Sequence, residues 1–383
     1  MKRPAAKPLA KSKGVKKDME NVQRPHPSHA QLCVEPRLLP KGGRAVWYCS
    51  DCSGLDVGAM ALGRVLKGKG YRHWFASEID NVFRQVLKAC HPNIEKVFAD
   101  CTKRSRTELL ELKEERQRNP QACLIETSGF PCQSFSRQGK QEGSKDKRGQ
   151  VVYSELNMLD AILPDLILME NVKDLATSAK YKEFFAEVLW LLQSIGRKAY
   201  YVDWKVIDSY SHGVPATRCR VYIIAVRKDR LKQPWQWPSE LPTVGLDAVL
   251  ASDVAKTKLD SLCTTHLKNL HDGMKQLKEK GINFRKDPWV LDLAGGFGVS
   301  CSQNKFPTIT KSHSNSLWLT HKERYATPYE VLRAQGIPAT CVACPTGVSS
   351  KKLAEMAGNS FTLTVIEQLL KSLLPAIGVS AKK

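Results

Sequence analysis

Three groups of residues in this 383-residue chain have the types needed for nucleophilic and acid–base chemistry. Cys132 lies in the stretch Gly129-Phe130-Pro131-Cys132-Gln133-Ser134-Phe135-Ser136-Arg137-Gln138-Gly139-Lys140. A thiolate is a strong nucleophile near neutral pH when positive charge stabilises it. Glu170 follows 38 residues later (170 − 132) and offers a carboxyl group for acid–base or hydrogen-bonding work. Arg218 and Arg220 flank Cys219 and could supply the positive charge. Each group has a plainer reading: a buried structural thiol, a charge near a helix N-terminus, a surface salt-bridge pair.

The flanking elements argue for joint use. The apolar run Ala122 to Ile125 reads as a short buried strand, and Gly129 and Pro131 break it. That places Cys132 on a loop at the carboxyl end of a strand, the edge where open α/β sheets bind ligands. The basic loop that follows, with Arg137, Lys140, Lys145, Lys147 and Arg148, reads as a lid over phosphates. Val151 to Leu163 reads as a helix, and the fully apolar Asp165-Leu166-Ile167-Leu168-Met169 as a central strand that delivers Glu170 to the same edge. With a period of two, Arg218 and Arg220 share one face of the strand Val221 to Val226, at the rim of the core.

The chain opens its ordered part in a Rossmann-like way. Ala45 to Tyr48 reads as a strand, Asp51 to Gly58 as a turn, and Ala59 to Leu66 as a helix. His73 to Ser77 is a second strand ending at Glu78-Ile79-Asp80. An acid at that point commonly holds ribose hydroxyls, so Glu78 is read as the ribose ligand and Asp80 as a helix cap. A third short strand ends at Phe98 to Cys101, and residues 103–118 read as a charged helix.

Taken in order, the motifs resemble those of the C5-cytosine DNA methyltransferases. Phe130-Pro131-Cys132-Gln133-Ser134-Phe135-Ser136 resembles their nucleophile motif, and Met169-Glu170-Asn171-Val172 their Glu-Asn-Val. Arg218-Cys219-Arg220 resembles Arg-x-Arg, and Gly358-Asn359-Ser360 the closing Gly-Asn-Ser. The match spans roughly residues 45–230 and 305–375. The resemblance implies a Rossmann-like α/β methyltransferase sheet with a smaller target-recognition domain, and S-adenosyl-L-methionine (AdoMet) as cofactor. It implies Cys132, Glu170, Arg218 and Arg220 as catalytic. It implies AdoMet contacts at Cys52, Ser53, Gly54, Leu55, Glu78, Ile79, Asp100, Cys101, Pro131, Asn359 and Ser360, with Asp100 toward the adenine. Gln133, Ser136, Arg137 and Lys140 become the DNA contacts. Two departures stand in the glycine turn: Cys52 where the family has Phe, and Asp56 where it has Gly.

The implied chemistry is addition of the Cys132 thiolate to C6 of cytosine, which makes C5 nucleophilic toward a methyl group. The base must leave the DNA stack to reach it. The closest rival is a tRNA methyltransferase on the same scaffold. That branch resembles Pro-Pro-Cys-Gln with a Cys-Phe-Thr element, and this chain has Phe130 and no Cys-Phe-Thr. A non-catalytic DNA-binding relative and a Rossmann oxidoreductase are the other readings.

Composition fits a nucleic-acid partner. The net charge is +21, from 59 basic and 38 acidic residues. Residues 1–24 carry eight Lys/Arg and two acids, so +15 (21 − 6) remains elsewhere. Residues 1–40 read as a disordered basic tail. Their clusters at Lys2-Arg3, Lys11 to Lys13 and Lys16-Lys17 resemble a bipartite nuclear import signal, so the nucleus is the expected location. No apolar run suggests a membrane span. The expected division is residues 41–230 catalytic, 231–305 target recognition, and 306–378 returning to both, with double-stranded DNA as partner and protein partners unread. Two CxxC pairs, Cys49–Cys52 and Cys341–Cys344, lie too far apart in the fold order to suggest a metal, so none is expected.

Overall fold

The computed structural model describes residues 44–67, 69–131, 151–296 and 298–380. The first half alternates strand and helix. Its elements are β1 (Val46–Asp51), α1 (Val57–Val65), β2 (Arg72–Ser77), α2 (Asn81–Cys90), β3 (Lys96–Phe98), α3 (Arg106–Arg118), β4 (Cys123–Ser128), α4 (Val151–Ile162) and β5 (Leu166–Val172). A short α5 (Asp174–Thr177), α6 (Lys182–Lys198), β6 (Tyr200–Asp208) and β7 (Cys219–Arg227) follow. The strands form one sheet in the order β3-β2-β1-β4-β5-β7-β6. β1 through β5 run parallel, and β7 is antiparallel to both β5 and β6. This is the expected Rossmann-like α/β sheet.

Alternation along the strands explains why both faces are covered. Val46 and Tyr48 of β1 pack in one core, and Trp47 and Cys49 in the other. Leu166 and Leu168 of β5 likewise oppose Ile167 and Met169. A parallel sheet buried on both faces needs such continuous apolar runs. The strand order reverses between β1 and β4, so their carboxyl ends form a switch-point crevice. Asp51 and Ser128 pair there, and the chain leaves each strand directly into a turn.

β4 differs from the sequence expectation of Ala122 to Ile125. It continues through Glu126, Thr127 and Ser128, all of them buried. Polar residues masked the strand's true end, although the sheet satisfies their backbone groups regardless of side chain. α6 also runs past residue 195, with non-helical angles at Ile195, Gly196 and Arg197. Arg218 and Arg220 lie deeper than the expected rim position, each less than a tenth exposed.

A second, antiparallel sheet has the order β11-β10-β8-β9. It is built from β8 (Trp289–Asp292), β9 (Ser300–Gln303), β10 (Leu317–Leu319) and β11 (Arg324–Tyr325). It draws strands from both sides of residue 305. α7 (Thr264–Glu279) covers it through a small cluster that includes Leu270, Leu277, Leu291 and Trp318. α8 (Pro328–Arg333), α9 (Ser350–Asn359) and α10 (Leu363–Ala376) then return to the large sheet. α8 begins with Pro328 at its first turn and a capping box between Thr327 and Glu330. No helix among the described residues is long and apolar enough to cross a membrane.

One buried ion pair fastens the two parts. Glu330 accepts two bonds from the Arg324 guanidinium, at 2.8 and 2.7 Å, and two from the backbone N–H groups of Ala251 and Thr327. Burial pushes the Glu330 carboxyl up, but Arg324 and the backbone donors outweigh it, leaving the net value below the ordinary one. Glu330→Ala should therefore cost about 3–5 kcal/mol in urea unfolding at neutral pH, since Arg324 stays buried without its partner. That contribution is present above the ordinary glutamate range and lost as pH falls through the lowered value. The gap between variant and parent should narrow in acid.

Candidate active site

Glu170 lies within β5 and is almost fully buried. β7 pairs antiparallel with β5, and that register brings Arg220 opposite Val172 and Tyr222 opposite Glu170. The Arg220 Nε comes within 3.1 Å of Glu170 Oε1, and Arg218 Nη2 within 3.7 Å. The two arginines do different work. Arg218 donates to the carbonyls of Ile309 and Gly358 at 2.8 and 3.1 Å, so it braces the returning segment against β7. Arg220 is the nearer partner of the carboxylate. The sequence reading made both catalytic; the geometry gives Arg218 a bracing role that no spacing rule could reveal.

Asn171, next to Glu170, ties the two strand ends together. Its Nδ2 donates to the carbonyl of Phe130 at 3.1 Å. Phe130 is buried, and Gly129 before it passes close to the Phe361 ring, where an added Cβ would sit 2.8 Å from Cε1. Only a residue without a side chain fits that approach. The backbone two residues before Cys132 is thus fixed beside Glu170. Cys132 itself lies outside the described residues, as do Gln133, Ser136, Arg137 and Lys140.

Of the expected cofactor residues, Cys52, Ser53, Asn359 and Ser360 line one cleft. This small cleft lies between the β1 turn and the closing motif, with Ser50 and Thr127 also lining it. Gly54, at φ 55°, donates its N–H to Glu78 Oε2 at 2.9 Å, and Asp80 donates to Oε1 at 2.9 Å. Burial pushes the Glu78 carboxyl up, and these two donors only partly oppose it. Ile79 stands 74% exposed beside it, an apolar surface suited to the face of a purine. Asp100 caps a short 3-10 turn by accepting from Thr102, and Asp80 caps α2 through Val82 and Phe83. Leu55 is fully buried in the core, and Cys101 is buried beside Cys52. Pro131 is half-buried at the last described position before the nucleophile loop. The Glu78 carboxylate, bonded to the Gly54 turn, and the exposed Ile79 beside it are groups suited to the ribose and purine of AdoMet. The cofactor would rest on Ser53, Glu78, Ile79, Asn359 and Ser360.

Asp56 explains one departure in the glycine turn. At φ 51° it caps α1 through Ala59, and its carboxylate also takes bonds from Tyr48 and Ser50 and lies 3.1 Å from His73 Nε2. Burial pushes this carboxyl up, but His73 outweighs it and holds it below the usual range. The αL backbone that glycine usually supplies is stabilised here by a capping side chain instead. Nothing in the linear pattern linked Tyr48, Asp56 and His73, which come from three separate elements.

The C-5 cytosine-specific DNA methylase family model matches residues 49–374. This chain belongs to that family. The type II methyltransferase M.DsaV of Dactylococcopsis salina is 26% identical over 269 residues, covering 67% of this chain and 70% of its own. The type II methyltransferase M.HhaI of Haemophilus parahaemolyticus is 26% identical over 253 residues, 63% of this chain and 73% of its own. A crystal structure of a prophage-encoded DNA modification methyltransferase from E. coli superposes with a TM-score of 0.62 at 18% identity, covering 87% of this chain and all of that one. A Spodoptera frugiperda DNMT2 variant gives 0.58 at 19%, covering 86% of this chain and all of that one. At such identity both structures speak to the fold alone. The chain is a DNA cytosine methyltransferase, and the family's methyl donor is AdoMet.

Asn171→Ala should release the Phe130 carbonyl and loosen the backbone that leads to Cys132. Methyl transfer at saturating AdoMet is expected to fall by about tenfold or more, because small misplacements of a nucleophile are costly. AdoMet affinity by calorimetry should stay within about twofold, since no cofactor-lining residue changes.

Proposed function

We propose that the enzyme methylates C5 of a cytosine flipped out of double-stranded DNA, through a covalent bond between Cys132 Sγ and C6. The observation that carries this reading is the Asn171–Phe130 bond beside the Glu170–Arg220 pair. It sets the chain entering Cys132 next to a buried carboxylate at the open edge of the sheet.

Bound AdoMet supplies an electrophilic methyl group. The protein's part is to make C5 able to attack it. The Cys132 thiolate adds to C6, and the C5–C6 π electrons move toward C5. Glu170 meets the N3 and amino edge of the ring and draws electron density from C6. Arg220 holds the Glu170 carboxyl in place and adds positive charge near the thiolate. After methyl transfer a base removes the C5 proton, its electron pair restores the C5–C6 double bond, and the thiolate leaves. The basic residues Arg137 and Lys140, with Gln133 and Ser136, are proposed to close on the phosphates and the vacated stack. The second sheet and α7, with residues 231–305 as their core, are proposed as the target-recognition region, between a catalytic part at 41–230 and a returning part at 306–378. Nuclear delivery is proposed from the basic clusters of residues 1–24 alone, which lie outside the described residues.

The test is a duplex carrying 5-fluorocytosine, incubated with AdoMet and enzyme, beside a Cys132→Ala control. Fluorine at C5 blocks the final elimination, so a denaturation-resistant protein–DNA adduct is expected, absent in the control. An adduct on similarly substituted tRNA but on no duplex would replace this reading with the RNA-directed one. AdoMet binding without an adduct on either would contradict covalent catalysis by Cys132.

A further inference from the structure

On the face of the large sheet beneath α4, two thiols and a carboxylate converge. Cys52 follows β1 with φ 52°, Cys101 opens the turn after β3, and Glu155 lies in the second turn of α4. Cys52 Sγ, Cys101 Sγ and a Glu155 carboxylate oxygen all lie within 4.8 Å of one another, and Cys52 Sγ is 3.2 Å from Glu155 Oε1. Ligand atoms around a tetrahedral zinc, at about 2.3 Å for sulfur and about 2.0–2.2 Å for oxygen, stand about 3.5 Å apart. The cluster is close to that size. The second Glu155 oxygen accepts from Ser128 Oγ at 2.8 Å, which holds the carboxylate toward the thiols.

A second observation points to a missing cation. Glu126 is 0% exposed, and both its carboxylate oxygens lack a hydrogen-bond partner among the described residues. It precedes Ser128 by two positions on β4, so both side chains project to the same face of the sheet, the face that Glu155 meets. The guanidinium nearby, that of Arg104, is committed to Asp51 through both terminal nitrogens. A buried carboxylate without a partner is costly, and coordination to a metal is one of the few arrangements that relieve it.

We propose that Cys52, Cys101 and Glu155 bind a zinc ion, whose charge also offsets the buried Glu126 carboxylate near Glu155. Thiolate with carboxylate selects zinc over magnesium or calcium, which prefer oxygen alone. Zinc displaces the two thiol protons to solvent as the two Zn–S bonds form. The ligands come from the turns after β1 and β3 and from α4, and Ser128 of β4 bonds the Glu155 carboxylate, so the ion ties the cofactor turn to the strand that leads to Cys132. Cys52 also lines the cofactor cavity, which places the metal in that wall. The CxxC pairs visible in the sequence do not make this site: Cys52 joins Cys101 and Glu155 instead of Cys49 or Cys341.

The test uses the reduced, metal-stripped full chain titrated with cobalt(II), without DNA or AdoMet, so its outcome is independent of the catalytic reading. One equivalent should bind with the intense visible and near-ultraviolet bands of tetrahedral thiolate cobalt, and zinc should bleach them. Cys101→Ser and Glu155→Gln should each weaken cobalt binding by about tenfold or more. A Cys341→Ser/Cys344→Ser variant should keep the bands, and circular dichroism checks that each variant is folded. Absence of the bands in the parent overturns the proposal, as does their survival in a folded Cys52→Ser/Cys101→Ser variant or their loss with Cys341 and Cys344. A Cys52–Cys101 disulfide found by mass spectrometry under reducing conditions would also overturn it.

Discussion

A buried carboxylate needs a cation, and in this enzyme that requirement determines how the active site closes. Glu170 lies inside β5, away from bulk water, with Arg220 at 3.1 Å. The pair exists only because β7 runs antiparallel beside β5 and delivers its first residues to the other strand's carboxyl end. A parallel β7 would have presented its other end there. Arg218, two residues earlier, then reaches Ile309 and Gly358 and draws the closing motif onto the same edge. Gly358 has to be glycine, because an added Cβ would collide with the backbone of Thr310 and Lys311. The reversed strand therefore serves two purposes: it charges the site and it docks the segment that completes the cofactor crevice.

The cofactor side obeys a similar economy of few, shared groups. Glu78 accepts from Gly54 and from Asp80, so one carboxylate fixes both the β1 turn and the start of α2. Asp56 receives Tyr48, Ser50 and His73 around one buried charge. Each such acid costs desolvation and repays it by orienting several donors at once. Rigid turns at the ends of β1 and β4 then meet at the switch point, where a ligand can touch both.

Legibility from sequence followed physical locality. Strand-turn-helix units and the arrival of Glu170 at the carboxyl end of a central strand depend on short stretches and on strand order, so residue types sufficed. β4 was read three residues short because Glu126, Thr127 and Ser128 are polar yet buried in mid-sheet. Arg218's bracing role was invisible because its acceptors are backbone carbonyls 91 and 140 residues away. Backbone acceptors carry no side-chain signature. The Cys52–Cys101–Glu155 grouping leaves no local trace because its three elements meet only in the folded sheet. The second sheet spans residue 305 because β10 pairs with β8, and antiparallel neighbours far apart in sequence leave little local trace.

The central claim is that Glu170 and Arg220 act as one unit on the reacting base. A double-mutant cycle on single-turnover methyl transfer, with Glu170→Gln, Arg220→Gln and the double variant on the same duplex, measures it most directly. If the two groups work through each other, the double variant should lose little more rate than the worse single one, since each single change already dismantles the pair. Losses that multiply across the cycle would contradict the claim and assign the two side chains independent roles.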